Sequence, residues 1–202
     1  MTVQETGQRD TPRRVVLISA SPRRHGNTET LLACAAQGAQ DRGAQTVTLV
    51  LNELTIAPCQ ECAEPDPQGR CRFSDGMDEV FERIQWSDSI IFGSPVFFGS
   101  VSAQAKAMID RFQCWWLCVK TGQHRNTARI GAFICVAASR REDFFRNARA
   151  VVRNFFATVG AHYAAELFCG GLEGRDATSA RADCREAAYR IGVLIAAGDT
   201  GR

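Results

Sequence analysis

Apolar residues along this chain come in short runs of two kinds. Some are nearly continuous, as from Val15 to Ile18, from Ile90 to Phe92 and from Ile130 to Val136. Others recur at three and four, as Leu31, Leu32, Ala35 and Ala39 do. Continuous runs of this length suit strands buried on both faces, and spaced stripes suit helices with one face on a core. The pattern predicts strands at 15–19, 46–51, 89–92, 129–137 and 161–168. It predicts helices at 27–41, 102–119, 142–159 and 177–197, with another opening at 77–84. Strands alternating with helices imply right-handed crossovers and a parallel sheet, so the expectation is an α/β, three-layer, doubly wound domain. One such domain accounts for residues 1–202, with 1–12 a loose polar lead-in and 52–76 a cysteine-containing insertion. Ligands of such sheets sit beyond the carboxyl ends of the strands, where strand order reverses.

The first strand runs into Ser19-Ala20-Ser21-Pro22-Arg23-Arg24-His25-Gly26-Asn27-Thr28, and a helix starts at once. A helix N-terminus presents unpaired N–H groups and the positive end of its dipole, which favours an anion. Neither a Gly-Lys-Ser/Thr phosphate loop nor a Gly-x-Gly-x-x-Gly pattern is present. Instead Ser19, Ser21, Asn27 and Thr28 offer short donors, and Arg23 or Arg24 a charge-assisted fork. Many side-chain donors around one compact group suit a terminal monophosphate. The alternative is an ordinary junction in which Ser21 or Asn27 caps the helix.

The third strand leads into Gly93-Ser94-Pro95-Val96-Phe97-Phe98-Gly99-Ser100-Val101-Ser102, and a parallel sheet puts that loop on the same edge. Gly93 and Gly99 permit close backbone approach, and Pro95 fixes the turn. Phe97 and Phe98 supply flat apolar surface for a planar heteroaromatic ring. Alone, this loop reads first as a turn with two core phenylalanines. Together the two loops describe a phosphate at one end and a ring at the other, which is the shape of FMN.

These segments resemble the NAD(P)H-dependent FMN reductases of flavodoxin-like fold, and in particular their iron–sulfur flavoprotein branch. The resemblance rests on Ser19 to Arg23 with Gly26-Asn27-Thr28, on Pro58-Cys59 with Cys62 and Cys71, and on Asp75-Gly76-Met77. It rests also on Gly93 to Ser102 with Lys106 and Asp110-Arg111, so it covers roughly residues 14–112. It implies a flavodoxin-like three-layer α/β/α sandwich with parallel strand order 2-1-3-4-5. Ser21, Arg23, Asn27 and Thr28 would then hold the FMN phosphate, and Pro95, Val96, Phe97 and Phe98 would line the isoalloxazine. Two departures stand out: the family often has Tyr or Trp where this chain has Phe97, and a glycine-rich loop where this chain has Ala137-Ala138-Ser139-Arg140-Arg141. Ser139 and Arg140 are the candidate flavin contacts in that loop. The implied chemistry passes electrons from NADH or NADPH, a transient donor, through flavin N5 to a quinone, flavin or other small molecule. No protein side chain is then catalytic. The rival readings are a protein-to-protein electron carrier, like flavodoxin or the iron–sulfur flavoproteins, and a nucleotide-binding sensor without redox chemistry. The family resemblance implies a homodimer or homotetramer.

The insertion carries Cys59, Cys62 and Cys71. The iron–sulfur branch has a further cysteine three residues after the second, where this chain has Pro65. Three thiolates leave one iron of a cubane without a cysteine ligand. A cluster with a nonstandard ligand, a redox-active or metal-linked pair, and inert thiols remain the alternatives. The remaining six of nine cysteines, Cys114 and Cys118 among them, read as small core hydrophobes. Trp115 and Trp116 point to different faces, one to the core and one to a subunit interface. His25, His124 and His162 have no metal-like spacing.

Charge excludes some partners. Twenty-four basic and 22 acidic residues are mixed along the chain, for a net charge of +2, so no nucleic-acid footprint is expected. No run of about 20 apolar residues suggests a membrane span. The start has no apolar signal core, and with free cysteines this predicts a cytoplasmic protein.

Overall fold

The computed structural model describes residues 11–62, 66, 68–120, 122 and 128–198. His124 and Pro65 lie outside the described residues. The strands are β1 (Arg14–Ser19), β2 (Gln45–Val50), β3 (Ser89–Phe97), β4 (Ser100–Val101), β5 (Arg129–Val136) and β6 (Ala161–Cys169). The helices are α1 (Asn27–Gln40), α2 (Met77–Trp86), α3 (Ala103–Asp110), α4 (Gln113–Lys120), α5 (Arg146–Thr158) and α6 (Ala182–Ala197). Five parallel strands stand in the order β2-β1-β3-β5-β6, and the short β4 folds back antiparallel on β3. Counted over the parallel strands alone, that order is the expected 2-1-3-4-5.

The continuous apolar strands put alternate residues into two cores. Val15, Leu17, Ile91, Ile130 and Ile134 pack with Leu31, Ala35, Ile191 and Ile195 of α1 and α6. Val16, Ile18, Phe92 and Phe133 pack on the other face with Met77, Met108, Phe112, Phe155 and Phe156. Trp115 is buried and Trp116 half exposed, so the two consecutive tryptophans do part to different faces.

Three expected elements differ in extent. The strand expected at 89–92 continues to Phe97, because Ser94 and Pro95 still pair with Cys135 and Val136, and Val96 and Phe97 pair with β4. The single helix expected at 102–119 breaks into α3 and α4. At the break Arg111 and Phe112 make tight i to i−3 backbone bonds to Met108 and Ile109, and the Arg111 side chain turns inward. The helices expected at 142–159 and 177–197 open as 3-10 turns at Glu142–Phe145 and Ala177–Ala180.

Helices α1 and α6 cross at backbone contact. A Cβ on Gly192 would overlap the carbonyl oxygen of Ala35, and one on Gly38 would overlap that of Tyr189. Both atoms belong to helix backbone and cannot swing away. Gly192→Ala is therefore expected to lower stability by about 1–3 kcal/mol through overpacking. A urea midpoint shifted down at unchanged slope would show it. A midpoint equal to the parent's would mean the helices are not in backbone contact.

Candidate functional site

The loops after β1, β3, β5 and β6 all emerge at one sheet edge, and a cavity of about 390 Å³ opens between them. Cavities of about 300–1,000 Å³ are the size that takes cofactors and similar ligands. Its floor at one end is the start of α1. Gly26 caps that helix in an extended conformation with no side-chain cap, so the first-turn N–H groups are left for a ligand. Ser21 folds the loop locally: its Oγ accepts from the Arg23 N–H and donates to the Arg23 carbonyl, both at 3.1 Å. Buried Thr28 and the exposed Arg23 line the same end. Arg24 is committed elsewhere, to Glu29 and Glu53, which leaves Arg23 as the loop's cation toward the cavity.

The sheet holds the two predicted loops together. The Ala20 N–H donates to the Gly93 carbonyl at 2.8 Å. Ser102 Oγ donates to the Ala20 carbonyl at 2.5 Å and accepts from the Ala105 N–H at 3.1 Å, so the cap of α3 also clamps the phosphate loop. A Cβ on Gly93 would stand 3.0 Å from Thr28 Cγ2 and closer to Leu32, so only glycine lets α1 sit this near β3. Pro95, Val96 and Phe97 form the apolar wall of the cavity.

Several predicted residues take other positions. Asn27 lines the cavity, but its side chain is occupied: Nδ2 donates to the Gly174 carbonyl at 2.8 Å, and Oδ1 accepts from Thr178 N and Oγ1 at 3.1 and 3.2 Å. Its side chain is therefore committed to the β6 loop and not to the cavity. Ser19 is fully buried at the end of β1, not on the wall, and its Oγ has no hydrogen-bond partner among the described residues. Phe98 and Gly99 form the two-residue tip between β3 and β4, at φ of +49° and +73°, and neither lines the cavity. Two positive φ values match the twist of a tight hairpin, and a phenylalanine there is strained. Phe98 is wholly exposed beside the mouth, while Phe97 is 42% exposed. Ser139 and Arg140 are also off the wall. A Cβ on Gly170 or Gly171 would collide with them, so they pack behind the β6 loop.

Sequence reasoning missed the fourth wall. Leu172, Glu173, Gly174 and Arg175, with Val136 to Ala138, complete the cavity. Backbone bonds from Gly171 to Ala138 and from Leu172 to Ala137 hold this loop in place, and Asn27 ties its far end. The signal was available: Gly170, Gly171 and Gly174 follow the last strand at the edge where ligands sit. The residues present fit FMN. Hydroxyls, helix N–H groups, Arg23 and Arg175 suit its phosphate end, and Pro95, Val96, Phe97, Ala137 and Leu172 suit its ring.

A second cavity, of about 460 Å³, lies under the insertion. Cys59, Cys62 and Cys71 line it, as does Cys114 from α4. Arg111 is fully buried beneath it, with Nη1 donating to Asp75 Oδ2 at 2.7 Å and to the Ala57 carbonyl at 2.8 Å, and Nε donating to Cys71 Sγ at 3.3 Å. Burial and then the charge of Cys71 push the Cys114 thiol up to about 12. Burial would raise the Asp75 carboxyl, but the Arg111 guanidinium and the N–H groups of Ala57 and Met77 outweigh it and hold it below its usual range.

Comparison with known proteins bears on both cavities. An iron–sulfur flavoprotein of Methanocaldococcus jannaschii is 37% identical over 128 residues, 63% of this chain and 63% of its own. An NAD(P)H dehydrogenase (quinone) of Archaeoglobus fulgidus is 33% identical over 111 residues, 53% of each chain. The chain thus matches about 63% and 53% of the lengths of these relatives. Among solved structures, an NAD(P)H:quinone oxidoreductase from Methanothermobacter marburgensis superposes with a TM-score of 0.71 at 19% identity, over 92% of this chain and 96% of that one. At that identity it shares the fold, which is the flavodoxin-like one the resemblance implied. No helix among the described residues is long and apolar enough to cross a membrane. The sequence pattern of the NADPH-dependent FMN reductases runs through residues 13–170, across every loop that builds the cleft up to β6, and the chain belongs to that family.

Proposed function

We propose that this protein is an NAD(P)H-linked flavin oxidoreductase, passing electrons from a reduced nicotinamide through bound FMN to a quinone or a similar small acceptor. The observation that carries the reading is the cleft itself: a phosphate cradle at α1 continuous with an apolar slot at Pro95–Phe97, open to solvent beside an exposed aromatic hairpin. FMN, when bound, supplies hydride and single-electron transfer. The chain's own contribution is to bind and orient it. Thr28 and the first N–H groups of α1 would anchor the phosphate, on a loop that Ser21 holds in shape. Arg23 and Arg175 at the lining neutralise its charge. Val96, Phe97 and Leu172 would shield one side of a bound flavin ring from water, leaving the open side for a flat second ring. Among the described lining residues Glu173 is the one carboxylate.

The second reading, an electron carrier between proteins, is favoured by one observation, the cysteine-lined cavity beside the insertion. Anaerobic rapid mixing separates the two. NADH or NADPH is expected to bleach the ~450 nm flavin band within seconds and to sustain turnover with a quinone, since this band belongs to the oxidised cofactor. A protein bleached quickly by reduced ferredoxin and by neither nucleotide is a carrier, and the oxidoreductase reading falls.

A further inference from the structure

The flavin cleft does not use the second cavity. Its lining holds four thiols, three from the insertion and one from α4. The loop alone is one thiol short, since Pro65 stands where the iron–sulfur branch has a cysteine. We propose that Cys59, Cys62, Cys71 and Cys114 together ligate an iron–sulfur cluster, with helix α4 supplying the thiolate that the loop lacks.

Three observations carry this. The first is the seating of the loop on α4. Cys118 Sγ donates to the Asp66 carbonyl at 3.6 Å. Gly69 lies so close that a Cβ on it would stand 3.2 Å from that sulfur and 3.4 Å from Trp115 Cδ1. Cys114 is one turn before Cys118 on the same face, so this seating turns it toward Cys71 and the cavity. The break between α3 and α4 sets that face, and Arg111 at the break reaches Cys71.

The second observation is the size of the space. Among the described residues no three His, Cys, Asp or Glu side chains stand close enough to hold a single metal ion. A lone zinc needs four ligands about 2.0–2.3 Å from one centre. A cavity of about 460 Å³ lined by four thiols has room for a group that carries its own bridging sulfides.

The third is charge. Four thiolates around a cluster leave net negative charge, and hydrogen bonds to the sulfurs stabilise it. Arg70, Arg72 and Arg111 line the cavity, and Arg111 Nε already donates to Cys71 Sγ at 3.3 Å. On binding, four S–H protons leave to solvent as four iron–sulfur bonds form, two of the irons entering as ferrous and two as ferric for a cubane.

The test is anaerobic reconstitution of the full chain with ferrous and ferric iron, sulfide and a thiol. Iron, acid-labile sulfide, zinc and FMN are then counted per chain. The parent is expected to hold about four irons and four sulfides, as a cubane requires. Cys114→Ala should hold about three irons or fewer, and Cys34→Ala, in α1 and off the cavity lining, should match the parent. FMN content should be equal in all three, which reports folding and keeps this result separate from the flavin reading. Cys114→Ser, close in size to the parent, guards against a packing defect and should show the same iron deficit with FMN retained. A parent that holds FMN but takes up no iron and sulfide, or takes one zinc, overturns the proposal. So does a full cluster in either Cys114 variant.

Discussion

Asp75→Ala is expected to lower stability by about 3–5 kcal/mol, the cost of leaving a buried charge unpaired. The Arg111 side chain is completely buried, and Asp75 meets it with two contacts, Nη1–Oδ2 at 2.7 Å and Nη2–Oδ1 at 3.2 Å. The same carboxylate accepts from the Ala57 and Met77 N–H groups, each at 2.9 Å. One side chain thus pins both ends of the insertion and the start of α2 to the α3–α4 break. Removing it strands the guanidinium on the Ala57 and Phe73 carbonyls. A urea melt measures the loss. Adding Arg111→Met to Asp75→Ala should recover part of it, because a buried pair replaced by apolar volume is often neutral. The pair also sets a pH response. The folded-state carboxyl is depressed, so its stabilisation is fully present above the unfolded value of about 3.9 and is lost as pH falls through the folded value. The parent should therefore lose this contribution only below about pH 4, and Asp75→Asn should show no such step. A variant as stable as the parent would mean that Arg111 finds other compensation.

Ser21→Asp is expected to weaken FMN binding at least about 100-fold, or roughly 3 kcal/mol, while riboflavin binding changes little. Ser21 is nearly buried at the cleft, two residues from Arg23, and its Oγ accepts the Arg23 N–H. An aspartate keeps that acceptor but gives up the donation to the Arg23 carbonyl, a local loss that FMN and riboflavin share, and a carboxylate near the uncapped start of α1 is tolerated by the helix dipole. What changes is the cradle, where a fixed negative charge now meets a dianionic phosphate. Riboflavin lacks that phosphate and should not distinguish the two proteins. Flavin fluorescence titrations measure both affinities. Equal losses for FMN and riboflavin would show that the substitution disturbs the ring end or the fold, and equal retention would remove the phosphate from this loop.

Much of the fold was legible because its central strands, β1, β3 and β5, are buried on both faces. Runs such as Val15 to Ile18 and Ile90 to Phe92 admit few other readings, and their order along the chain carried the parallel sheet. The α1 terminus and the Phe97 wall were legible for the same reason, since each follows such a run. What the pattern hid was tertiary. Asn27 reads as a phosphate donor by type, but Gly174 and Thr178, 147 and 151 residues on, occupy it. Phe97 and Phe98 are equal in composition, and only the tight turn onto β4 separates wall from tip. The helix at 102–119 kept its apolar spacing through a break that depends on where Arg111 finds Asp75. Cys114 looked like a core thiol because its partners lie 43 or more residues upstream, in a loop with no periodicity of its own.

The central claim is that the cleft between α1 and the β3, β5 and β6 loops holds FMN. Titrating flavin-free protein with FMN and with riboflavin, and following flavin fluorescence and the visible spectrum, tests it most directly. Saturation is expected at one FMN per chain, with riboflavin at least about 100-fold weaker because it lacks the phosphate. Protein that remains colourless in excess FMN, or that binds both flavins equally, contradicts it.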